Sequence, residues 1–153
     1  MGERDIWMIF IQITKGLRAM HEKNVMHRDL KCANVFMNKD GTVKLGDMNV
    51  SKVANKKGLN FTQTGTPYYA SPEIWLDKPY DIKSDVWSLG CVLYEMITLY
   101  PPFQADDMRG LYKKVIKGQY RKIPSTFSND LAAMISALLS VNPANRPDTK
   151  AIM

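Results

Sequence analysis

Asp29, Lys31 and Asn34 follow one another at short spacing in His27-Arg28-Asp29-Leu30-Lys31-Cys32-Ala33-Asn34, with a further acid at Asp47 and the triplet Ser71-Pro72-Glu73 beyond it. These residue types suit transfer of a phosphoryl group. An Asp orients a hydroxyl or accepts its proton, and a Lys meets the negative charge on phosphate. An Asn and a second Asp offer the hard oxygen ligands that magnesium takes. Singly, each has a plainer use, since loop Asp and Asn residues mostly form turns. Those uses do not account for the joint order and spacing.

The elements that must position these residues are legible as periodicities. Ile6, Ile9, Phe10, Ile13, Leu17 and Met20 recur at helical spacing, with Arg4, Lys15 and Arg18 elsewhere on the wheel. Val25-Met26 reads as a short extended piece. Val35-Phe36-Met37 and Thr42-Val43-Lys44-Leu45 flank Asn38-Lys39-Asp40-Gly41, the pattern of a β-hairpin with an Asp-Gly turn. The hairpin places Asp47 just past a strand end and returns it toward Asn34. From Asn49 to Pro72 periodicity is lost, which predicts a long loop of the kind that is functional or disordered. Asp85 to Thr98 is apolar nearly all round and predicts a buried central helix ended by Pro101-Pro102. Asp106 to Lys117 and Asn129 to Ser140 predict two further helices, the second capped by Ser128 or Asn129. Asn145-Arg146-Pro147 reads as a turn, and Asp148 caps a last helix that meets the chain end.

Composition narrows the class. The 153 residues are 45% hydrophobic and 24% charged, which suits one packed domain and excludes disorder. No apolar run is long enough to span a bilayer, and the charged start Gly2-Glu3-Arg4-Asp5 is unlike a signal peptide. Ile6 stands where a myristoylation motif needs Ser or Thr. Cys32 and Cys91 make neither a disulfide framework nor a metal site, and reduced thiols point to a cytoplasmic or nuclear setting. The net charge of +6 reads as dispersed surface lysine and arginine, so neither nucleic acid nor membrane is expected as a partner.

With these motifs together, the chain resembles the C-terminal lobe of a eukaryotic protein kinase. Thr64-Gly65-Thr66-Pro67-Tyr68-Tyr69-Ala70-Ser71-Pro72-Glu73 is similar to the end of an activation segment, in wording nearest to the NIMA-related (Nek) Ser/Thr kinases. The resemblance implies a mainly α fold, a kinase-like C-lobe with one small hairpin at the cleft. It implies ATP and Mg²⁺ as cofactors and a protein Ser/Thr hydroxyl as acceptor. Asp29 would be the catalytic base and Lys31 the contact to the γ-phosphate; Asn34 and Asp47 would be the metal ligands. Lys31 points to Ser/Thr rather than Tyr. Thr62 would be the regulatory phosphorylation position, met by Arg28, with Thr66 near Asp29 and Lys31. Asp85 would open the central helix and accept catalytic-loop amides, and Glu73 would pair with Arg146. His27 and Cys91 would be core residues, and His21 a helix-end residue without a role.

One departure stands out. Asp47-Met48-Asn49 replaces the usual Asp-Phe-Gly. Met fills gaps adaptably and Asn tolerates positive φ, so an altered switch is expected rather than a dead enzyme. The resemblance runs over residues 1–153, from the lobe's first long helix to the inside of its last. The Gly-rich loop, the β3 Lys, the αC Glu and the hinge would then belong to an N-lobe that these residues lack. The expectation is a partial Nek-like kinase sequence, inactive alone, that needs that N-lobe as partner. The alternative is a non-catalytic kinase-like interaction module.

Overall fold

The computed structural model describes residues 1–46 and 67–153. Helix α1 (Glu3–His21) buries Ile6, Phe10, Ile13 and Leu17, the stripe its periodicity marks. Burial of each such side chain is worth roughly 1.5–3 kcal/mol. Acidic Glu3 and Asp5 occupy its first turn and Arg18 its last, as the helix dipole favours. Val25-Met26, read as a short extended piece, belongs to neither a helix nor a strand. Val25 N–H instead returns to the Met20 carbonyl at 3.0 Å, closing the exit of α1 over Asn24 at φ 56°.

A short 3₁₀ turn, Cys32–Asn34, leads into β1 (Val35–Met37), which pairs antiparallel with β2 (Val43–Leu45) in the register Val35 to Leu45. Gly41, at φ 82°, supplies the left-handed residue the turn requires, and Asp40 Oδ1 accepts from Thr42 N at 2.9 Å. β2 packs on α1.

Helix α2 (Pro72–Trp75) precedes the central helix α3 (Ile82–Thr98). α3 starts before the Asp85 boundary read from the sequence, because Asp81 caps it by accepting from Lys83 N at 2.8 Å. It ends at Leu99, whose φ of 66° breaks the helix before the two prolines are reached. Ser84 to Leu93 is almost wholly buried. Gly90 lets α5 (Asn129–Leu138) approach closely, since a Cβ there would lie 2.8 Å from Leu138 Cβ. Trp87 stacks on Phe103 with ring centroids 5.2 Å apart.

Helix α4 (Met108–Lys117) is capped by Asp107, which accepts from Gly110 N at 2.6 Å. Ser128 caps α5 and also donates its N–H to Glu3 at 2.9 Å, tying the start of α1 to the start of α5. α6 (Thr149–Ile152), capped by Asp148, packs against α1. Among the described residues the architecture is helical around α3, with the hairpin as its one sheet.

Candidate active site

The loop from His27 to Asn34 gathers three of the expected residues. Lys31 Nζ lies 3.1 Å from Asp29 Oδ2. Asn34 Nδ2 donates to the Asp29 carbonyl at 2.8 Å and to the same Oδ2 at 3.1 Å. The Asp29 and Lys31 side chains are 35% and 36% exposed, so a solvent-borne substrate can reach both. Leu30 between them is buried and pins the loop to the core. Because Nδ2 of Asn34 faces Asp29, its amide oxygen meets no donor among the described residues. That oxygen is a hard donor of the kind magnesium takes. Gly46 N donates to the Asn34 carbonyl at 2.9 Å, so β2 does bring the chain back to the site just before Asp47. Asp47, Met48, Asn49, Thr62 and Thr66 lie outside the described residues.

Asp85 holds this loop from beneath. Buried in the first turn of α3, it accepts from His27 N at 2.8 Å and from Arg28 N at 2.9 Å. These two bonds fix the backbone where Arg28 takes the uncommon φ of 68°. Asp85 thus accepts amides of the loop at residues 27–34, the contact expected of it. The expectation for His21 does not hold. His21 is buried at the end of α1, and its Nε2 meets Asp85 Oδ2 at 2.9 Å. A helix-end imidazole became a structural contact because its partner comes from 64 residues away. His27 is buried as expected, and its Nδ1 accepts from Asp29 N at 3.3 Å. Asp85→Ala would leave two backbone amides without their acceptor, at about 1–3 kcal/mol each. The expected loss is about 2–6 kcal/mol in urea melts, and an unchanged midpoint would contradict this role.

A second network secures the stretch that ends in α2. Glu73 and Arg146, both buried, pair through two bonds of 2.7 and 2.8 Å. Ser84 Oγ donates to Glu73 at 2.6 Å and lies 3.0 Å from Ser71 Oγ. Arg146 also donates to the carbonyls of Ser140, Lys83 and Val141, and its guanidinium lies 5.0 Å from the Trp87 ring centroid. Ser88 Oγ donates to the Tyr69 carbonyl at 2.9 Å, while the Tyr69 hydroxyl donates to Glu95. Sequence reading saw the Glu73–Arg146 pair but not the hydroxyl bridge from Ser84 or the anchoring of Tyr69. Burial, reinforced by the Glu95 charge, pushes the Cys32 thiol up to about 12, so it is no nucleophile at neutral pH. Cys91 is buried and shifted the same way.

The protein kinase domain family matches residues 1–153. The chain belongs to that family. It is 45% identical to the mouse Serine/threonine-protein kinase Nek1 over 145 residues, covering 94% of this chain and 12% of the relative. It is 47% identical over 157 residues to the Dictyostelium discoideum protein named Probable serine/threonine-protein kinase nek3, covering 99% of this chain and 14% of that one. It is 44% identical to the human Serine/threonine-protein kinase Nek5, covering 94% of this chain and 21% of the relative. The chain thus spans a small part of the curated relatives it matches. The Nek resemblance read from the segment ending at Glu73 agrees with these likenesses, and the mainly α fold agrees with the family. Among the described residues, no helix is long and apolar enough to cross a membrane.

Proposed function

We propose that these residues form the C-lobe of a Nek-like kinase that moves the γ-phosphate of ATP to Ser or Thr hydroxyls of proteins. One observation carries the reading: Lys31 and Asn34 both reach the same oxygen of Asp29, at 3.1 Å each. An acceptor hydroxyl placed against Asp29 is oriented by its carboxylate, and Asp29 takes the proton as the oxygen bonds to the γ-phosphorus and the bond to the β–γ bridging oxygen breaks, releasing ADP. Lys31 stands beside that oxygen and offsets the charge on the transferred group. Positioning and charge neutralisation are the main needs of this chemistry. Asn34 and Asp47 would hold magnesium, which neutralises charge on the ATP phosphates when bound. The reading assigns the cover over the phosphates and the grip on adenine to an N-lobe outside these 153 residues.

The test is a magnesium titration in the kinase with its N-lobe present. Asn34→Ala and Asp47→Ala should each raise the magnesium concentration needed for half-maximal rate by about tenfold or more, on the scale of one lost ligand contact. Unmoved titrations would remove both from the metal site.

Phosphorylation of Thr62 would act through Arg28. The phosphate adds roughly −1.5 to −2 charges, and a guanidinium matches it with paired hydrogen bonds. Arg28 stands beside the base with its backbone held by Asp85, so a phosphate captured there is coupled to the catalytic loop. Thr62→Ala and Arg28→Ala should each remove activation by phosphorylation. Full activity in both variants would refute the switch.

A further inference from the structure

The surface charge is not dispersed as the sequence reading had it. Residues 109–122 contain Arg109, Lys113, Lys114, Lys117, Arg121 and Lys122 and no acid, and the rest of the chain carries as many acids as bases. All six are exposed. The ion pairs among the described residues are Arg18–Glu22, His21–Asp85, Lys31–Asp29 and Arg146–Glu73, and none involves this stretch.

Arg109, Lys113 and Lys117 recur every four residues on α4, so they stand in one row on a helix whose other side buries Leu111 and Val115. Like charges at that spacing destabilise a helix. The dipole favours Lys114 and Lys117 in the last turn but disfavours Arg109 in the first. It has no bearing on Arg121 and Lys122, which lie beyond the helix. Helix stability therefore does not explain the row.

Its place suggests what does. α4 packs on α2, where the Trp75 and Tyr112 rings lie 6.0 Å apart, and Tyr112 precedes Lys113. α2 in turn ends the stretch anchored through Tyr69, Ser71 and Glu73. The basic row thus stands on the helix packed against α2, next in space to the stretch anchored through Tyr69, Ser71 and Glu73. Charges four helix residues apart rise about 6 Å, close to the spacing of alternate side chains in an extended peptide.

We propose that α4 and the residues after it are a docking surface for an acidic, Asp/Glu-rich segment of a protein substrate, outside the phosphorylated residue. This rests on the reading of the chain as a protein kinase lobe. The docking is electrostatic and weakens with salt.

The experiment measures binding to the full chain, without ATP, by fluorescence anisotropy. The probes are a labelled Glu-rich peptide with one Ser, its Gln-for-Glu analogue, and a thymidine oligonucleotide of matching charge. The acidic peptide should bind more tightly than the other two. The triple variant Arg109→Gln, Lys113→Gln, Lys117→Gln should weaken it by about tenfold. The pair Lys39→Gln, Lys44→Gln on the hairpin should leave it unchanged. If the triple variant melts early, the single exposed Lys113→Glu should show a smaller loss in the same direction. No binding of the acidic peptide, equal losses from the hairpin pair, or tighter binding of the oligonucleotide would each overturn the proposal. Binding is read without catalysis, so a chain that docks the peptide but transfers no phosphate once fused to an N-lobe would contradict only the kinase reading. One that transfers phosphate without docking would contradict only this surface.

Discussion

Asp29→Asn is expected to slow phosphoryl transfer by about 10²–10⁴-fold in the kinase with its N-lobe present. The substitution keeps the volume and removes the charge that orients the acceptor hydroxyl and takes its proton. The Asp29 side chain is 35% exposed and is not part of the core, so the fold should survive. Its loss also releases Lys31, which now lies 3.1 Å from Oδ2. Single-turnover rates separate the chemical step from product release. A rate within a few-fold of wild type would show that Asp29 is not the base. A matching drop in melting midpoint would show that the effect is structural.

Breaking the Glu73–Arg146 pair is expected to cost about 3–5 kcal/mol of stability, since either deletion leaves a buried charge without its partner. Arg146→Ala should cost more than Glu73→Ala, because Arg146 also serves three backbone carbonyls and covers Trp87. The double variant should lose less than the sum of the two, and additive losses in denaturant melts would mean that the side chains do not meet. The pair also predicts a pH response. Burial alone would raise the Glu73 pKa, but hydrogen bonds from Arg146 and Ser84 outweigh it and hold the value below the ordinary 4.5. A carboxyl with a depressed folded pKa stabilises the fold above its unfolded value and loses that contribution as pH falls through the folded one. The loss should therefore appear below about pH 4.5 and be absent in Glu73→Gln.

The parts of the fold legible in the sequence were those set by local periodicity. The apolar stripe of α1, the Asp-Gly turn and the mostly apolar α3 each state their element within a short window. What was missed depends on distant partners or backbone angles. A His at a helix end looks the same in sequence whether exposed or buried, and only Asp85, brought in by α3, makes His21 structural. The φ of 68° at Arg28 is invisible in an Arg codon, as is the similar angle at Leu99 that ends α3 ahead of the prolines. At the site, Asp29, Lys31 and Asn34 were legible because they share one short loop. The net charge misled for the opposite reason: a whole-chain sum hides that the excess sits in residues 109–122.

The most direct test joins this chain to an N-lobe from a Nek relative and supplies Mg-ATP with Ser, Thr and Tyr peptides, reading phosphate position by mass spectrometry. The fusion should place phosphate on Ser and Thr and not on Tyr, and the 153 residues alone should place almost none. A folded fusion that transfers nothing, or one that modifies Tyr, would contradict the assignment of this lobe to Ser/Thr phosphorylation.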